Sequence, residues 1–147
     1  MENGSKPEGA LLSYQYRRSD MRISPSVYYL VEPSEKGGVQ LTWAKNASDG
    51  TVIRVEDDAL VKIDALMWQY KLYRLKENYR PLAHVLDGTM WSVRFRYGNG
   101  TVYSGGDNAW PGTNLKAGID AVNAYIDSLI DAAVEADIIG TVDRMDL

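Results

Sequence analysis

Cysteine is absent from the 147 residues, and histidine occurs once, as His84. The first absence removes disulfides, thiolate zinc centres, iron–sulfur clusters and cysteine nucleophiles together. The second excludes any site that needs two imidazoles. No apolar run approaches the ~18 residues of a membrane-spanning helix. Positive charge is in deficit: 16 Lys and Arg stand against 20 Asp and Glu, for a formal net charge of −4. That balance argues against a nucleic-acid binder, which needs a basic stripe. The first nine residues, Met1 to Gly9, hold no apolar signal core and read as a flexible lead-in. The compartment stays open: cytoplasmic by default, extracytoplasmic if an export segment has been removed.

What remains suits one globular domain over residues 10–140, with a loose tail over 141–147. Apolar residues are 45% and charged residues 24%, enough to build a core and too balanced for a disordered chain. A chain this long buries roughly 68–70% of its unfolded surface, so the core needs no metal or covalent staple.

Hydrophobic periodicity gives the element order. Leu12, Tyr14 and Tyr16 alternate with polar residues in a first strand from Ala10 to Arg18. Val27 to Glu32 is a second strand, and Val39, Leu41 and Trp43 mark a third. Thr51 to Val55 reads either as a short strand or as the extended approach to a helix. Ala59, Ile63, Leu66, Met67 and Tyr70 form a helical stripe within Glu56 to about Asn78, acidic at its start and basic at its end. Trp91, Val93, Phe95 and Tyr97 alternate in a strand. Asn99-Gly100 then predicts a type I′ hairpin pairing Tyr97 with Val102 and Arg96 with Tyr103. A second helix follows, capped by Thr113, with Ile119, Val122, Ile126, Leu129, Ile130 and Ala133 as its stripe and Gly140 as its stop. Ile138, Ile139 and Val142 can dock the tail. The expectation is an α+β domain: a twisted antiparallel sheet of about five strands with two helices packed on one face.

Four places combine residue types that carry chemistry, and each has two readings. The loop Ser104 to Gly112 holds Gly105, Gly106, Asp107, Asn108 and Trp110. Backbone N–H groups there can cradle an anion while Trp110 offers a stacking face; equally, the loop is a tight turn in which Trp110 caps the core. It lacks the Lys and Ser/Thr of a P-loop. His84 and Asp87 stand three apart ahead of Trp91, either as an acid–base pair or as a polar turn. Arg94, Arg96 and Tyr103 form either a patch for an acidic or aromatic partner or an ordinary solvated sheet face. Asp120, Asp127, Asp131 and Glu135 lie along the second helix, strung out as a solvated row. Ten Tyr and four Trp against one Phe raise the expectation of a binding surface, because both side chains suit positions with one wet end.

The segment Asp87-Gly88-Thr89-Met90-Trp91-Ser92-Val93, then a hairpin and Ser104-Gly105-Gly106-Asp107-Asn108-Ala109-Trp110-Pro111, resembles a pattern in small uncharacterised bacterial α+β proteins. Those come mostly from gut-dwelling bacteria, and some carry lipoprotein leaders. The resemblance implies a fold and no chemistry.

The sequence therefore supports a non-enzymatic binding module, using the hairpin and the Gly105 to Pro111 loop for a protein or small ligand. Two alternatives stand beside it. One is a structural domain that pairs with its own copy through the open sheet face. The other is a hydrolase working through Asp87 and Asp107. No catalytic residue, metal ligand or cofactor is assigned.

Overall fold

A computed structural model describes residues 5–21, 23–81 and 88–147. The elements are β1 (Leu11–Asp20), β2 (Ile23–Pro33), β3 (Val39–Lys45), β4 (Gly50–Val55), α1 (Ala59–Gln69), β5 (Asn78–Tyr79), β6 (Thr89–Tyr97), β7 (Gly100–Asp107), α2 (Thr113–Ala132) and β8 (Ile138–Val142). The architecture is α+β, with the strands in one sheet ordered β5-β7-β6-β1-β2-β3-β4-β8. All pairings are antiparallel except β5 with β7.

The sheet has eight strands rather than about five. Thr51 to Val55 pairs with β3, which settles the ambiguity of that segment. Asn78–Tyr79 is too short to show any period, and exists as a strand because Glu77 and its neighbours bond to β7. Ile138–Val142 pairs with β4, so the tail is tied down. Beyond it Asp49 Oδ1 accepts a bond from the Arg144 N–H at 3.0 Å, and Leu147 packs beside Gly50. These pairings span distant parts of the chain, and local pattern carries no trace of them.

The first helix ends at Gln69, well short of Asn78. Lys71 takes a left-handed conformation (φ 54°), and a short 3-10 turn over Leu72–Arg74 follows. The turn and its end bury Leu72 and Leu75 completely, which outweighs continued helix propensity. Across from it, Gly118 of α2 lies so close that a Cβ there would stand 2.5 Å from Tyr70 Cβ. Gly112 rather than Thr113 occupies the α2 N-cap position.

Alternation along each strand sorts the side chains. Tyr14, Tyr16, Tyr29, Val31, Leu41, Ile53, Val93, Phe95 and Val102 point to the inner face and pack with Ile63, Met67, Ile119, Val122 and Ile126 from the helices. Three inner-face tyrosines carry their hydroxyls to helix side chains. Tyr14 donates to Asn123 Oδ1 (2.7 Å), Tyr29 to Asp127, and Tyr97 to Asp64 (2.5 Å). Asp127, expected in a solvated row, is thus part of the sheet–helix contact. From the N-terminal lead-in, Lys6 sits between the Trp68 and Tyr97 rings, 5.0 and 4.6 Å from their centres, and 3.3 Å from Asp64.

Tyr14 is fully buried, so its hydroxyl depends on Asn123. Asn123→Ala is expected to cost about 1–3 kcal/mol, the penalty of a buried unpaired donor. Adding Tyr14→Phe removes that donor and is expected to recover part of the loss. Urea unfolding reads both as midpoint shifts at constant slope.

Candidate functional site

At the end of the sheet where α2 begins, the inner face is left open. A cleft of about 280 Å³ lies there. Its floor is the end of β1 and the start of β6: Tyr16, Arg18, Asp20, Thr89 and Trp91. Its walls are Trp110 and Pro111 from the loop after β7, and Lys116, Ile119 and Asp120 from α2. The β1–β6 pairing sets Arg18 opposite Trp91 and Asp20 opposite Thr89, which brings residues about seventy positions apart into one floor.

The loop is fastened at several points. Trp91 Nε1–H donates to the Ala109 carbonyl at 2.7 Å. Asn108 sits at φ 52°, its N–H bonds the Thr89 carbonyl at 2.8 Å, and its Oδ1 accepts from the Thr89 N–H at 2.8 Å. The close approach requires glycine at position 106: a Cβ there would stand 2.2 Å from the Ala109 oxygen and 2.5 Å from Trp91 Nε1. Trp91 itself is buried against Tyr79 (ring centres 6.0 Å apart). Trp110, in contrast, remains 47% exposed. The latch thus holds one indole, Trp91, in the floor and presents a second, Trp110, to solvent from the wall.

Charge in the cleft is balanced internally. Arg18 pairs with Asp20 at 3.1 Å, and Lys116 with Asp120 at 3.0 Å. Asp20 also accepts from the Thr89 hydroxyl at 3.1 Å. Burial pushes the Tyr16 hydroxyl above its ordinary pKa, and the neighbouring Arg18 guanidinium works against that rise. The cleft therefore offers a neutral hydroxyl, two carboxylates and two cations around apolar rings. Among the described residues, no three His, Asp or Glu side chains gather to hold a metal ion.

The residues singled out in the sequence divide between two faces. Trp91 and Trp110 meet in the cleft, and Gly106 and Asn108 build its latch. Arg94, Arg96, Tyr103 and Gly105 belong to the outer phase of β6 and β7, on the opposite side of the sheet. Asp107 is exposed at the end of β7 and accepts from Asn108 Nδ2 at 3.2 Å. His84 and Asp87, and with them the proposed Asp87–Asp107 pair, lie outside the described residues. The hairpin turns through Gly98-Asn99, neither at positive φ, rather than through a type I′ Asn99-Gly100. In consequence Tyr103 faces Arg94, whose guanidinium lies 5.4 Å from the ring centre, and Arg96 faces Thr101. A second groove of about 420 Å³ runs along the β5–β7 edge, past Glu77, Arg80, Met90, Tyr103 and Asp107. Those side chains are exposed, so it does little to take a ligand out of water.

Sequence reasoning missed Arg18, Asp20, Lys116 and Asp120. A signal for the first two was present: they continue the inward phase of Tyr14 and Tyr16, so two charges sit where apolar residues belong. Asp120 was grouped with a solvated row because α2 alone does not show what stands opposite it.

No protein-family model matches the chain, no curated protein matches it in sequence, and no solved structure matches its fold.

Proposed function

We propose that the chain is a non-enzymatic binding module whose cleft takes a neutral, polyhydroxylated ring, that is, a saccharide unit. The observation that carries this reading is the latched, half-exposed Trp110 over a cleft whose charges are already paired. An indole face covers the apolar side of a ring. Paired charges give no net field to attract an ion, yet their oxygens and N–H groups remain available to hydroxyls. The volume lies just below the usual range for small-ligand sites, about 300–1,000 Å³, which suits one ring rather than a long chain. Both carboxylates are engaged by cations, which favours binding over carboxylate-driven hydrolysis. The resemblance to small bacterial α+β proteins adds a fold and no chemistry, so the reading rests on the cleft.

Thermal unfolding in the presence of a panel of neutral mono- and disaccharides tests it. A saccharide at roughly 100 times its Kd is expected to stabilise the fold by about 2.7 kcal/mol. Trp110→Ala is expected to keep the fold and lose that stabilisation. No shift with any neutral sugar, or an equal shift in Trp110→Ala, would overturn the reading.

A further inference from the structure

The outer face of the sheet carries its own charge pattern. Its cations are all arginines: Arg17 on β1, Arg54 on β4, Arg94 and Arg96 on β6. Among the described residues none of them forms an ion pair, although the protein as a whole is acidic. The carboxylate nearest to Arg96 in register is Glu32, two strands away. Arg54, apart from the others on β4, has the Asp57 carboxylate close by, both lying within 3.3 Å of where a Gly38 Cβ would stand. Arg96 Nε–H donates to Ser13 Oγ at 3.3 Å, and Arg94 stacks on Tyr103, so both side chains have uncharged supports and keep their N–H donors facing water.

The register arranges three of these arginines as a ladder. Arg17 stands opposite Ser92, so along the strand direction the order is Arg17, Arg94, Arg96. Successive steps are about 6.8 Å, the repeat of alternate residues in an extended chain. We propose that this outer face docks an extended acidic polypeptide segment with carboxylates at alternate positions. Guanidinium forks match carboxylates two-on-two, which lysines do not. The unpaired arginines on an otherwise acidic protein supply the charge complementarity. A membrane surface would be served equally well by lysine, and the strands carry none on this face; Lys36 stands in the turn between β2 and β3, away from the three arginines. The site is separate from the cleft, on the other side of the sheet.

The test uses the full chain and a fluorescent synthetic peptide with glutamates alternating with serines, followed by anisotropy. A second peptide carries the same glutamates in one block. The alternating peptide is expected to bind more tightly than the block peptide. Arg94→Gln is expected to weaken it about tenfold, as loss of one charge-assisted pair does, and Arg94→Gln with Arg96→Gln to abolish it. Arg94→Lys keeps the charge and is expected to give an intermediate loss. Trp110→Ala is expected to leave peptide binding unchanged. Circular dichroism confirms that each variant folds. Equal binding of the two peptides, or full binding by the double Gln variant, would overturn the proposal. So would attachment to phosphatidylserine vesicles or dextran sulfate without peptide binding, or occupation of the face by a second copy of the chain in sedimentation.

Discussion

Above about pH 10 the protein is expected to unfold in one steep step, with phenolate absorbance and loss of circular dichroism rising together. Tyr14, Tyr29 and Tyr97 are buried, and the hydroxyls of Tyr29 and Tyr97 also face a carboxylate. Burial comes first among the causes that raise all three hydroxyls above their ordinary pKa; the facing carboxylates of Asp127 and Asp64 raise Tyr29 and Tyr97 further. The sign follows from proton counting. A raised pKa in the fold means that above about pH 10 the unfolded chain has released protons that the fold still holds, so stability falls as pH rises. The contribution is complete below about pH 10 and is lost on the way up to the folded pKa values. Each such tyrosine steepens the decline by about 1.4 kcal/mol per pH unit, so three give about 4. That gradient exhausts a typical stability of about 5–15 kcal/mol within a few pH units. Tyr97→Phe is expected to flatten the slope by about 1.4 kcal/mol per pH unit. Titration of all tyrosines near pH 10 with the circular dichroism intact would contradict this account.

Gly106→Val is expected to destabilise the fold by about 3 kcal/mol, combining overpacking with the loss of one hydrogen bond. Any side chain there meets the Ala109 carbonyl and the Trp91 ring at once. Neither is a flexible tip: one is backbone and the other is a buried indole. The chain must therefore release the Trp91–Ala109 bond, and Trp110 moves with Ala109. Saccharide binding is expected to disappear along with the stability. Gly140→Ala is the matched control, because its Cβ meets nothing within 4 Å, and it is expected to be neutral in chemical denaturation.

Local pattern was enough for much of the fold. Trp91, Val93, Phe95 and Tyr97 alternate and are all buried, as are Ile119, Val122 and Ile126 on α2. A period needs several repeats before it can be read, and β5 offers two residues. Gly140 read as the stop of the second helix and residues 141–147 as a tail, but α2 ends at Ala132 and Gly140 lies inside β8; only the distant partner β4 makes these residues a strand. The first helix was overextended because Lys71, Arg74 and Lys76 read as its basic end and Pro81 as its stop. Leu72 and Leu75 lie off its apolar stripe, and their complete burial was set by distant parts of the chain.

The candidate site was half legible for the same reason. Trp110 and the glycines around it announce themselves within a few residues. Arg18 and Asp20 reach Trp91 only through the β1–β6 register. The pleat also decided what sequence adjacency could not: Trp91 and Arg94 share a strand yet serve opposite faces.

The most direct test of the cleft is a two-dimensional NMR titration of the labelled protein with the saccharide that gives the largest thermal shift. The account predicts saturable movement of the Trp91 and Trp110 indole N–H signals and of amides from Thr89, Ala109 and Lys116, with Arg94, Arg96 and Tyr103 unmoved. Shifts confined to the outer face, or spread over the surface without saturation, would contradict it.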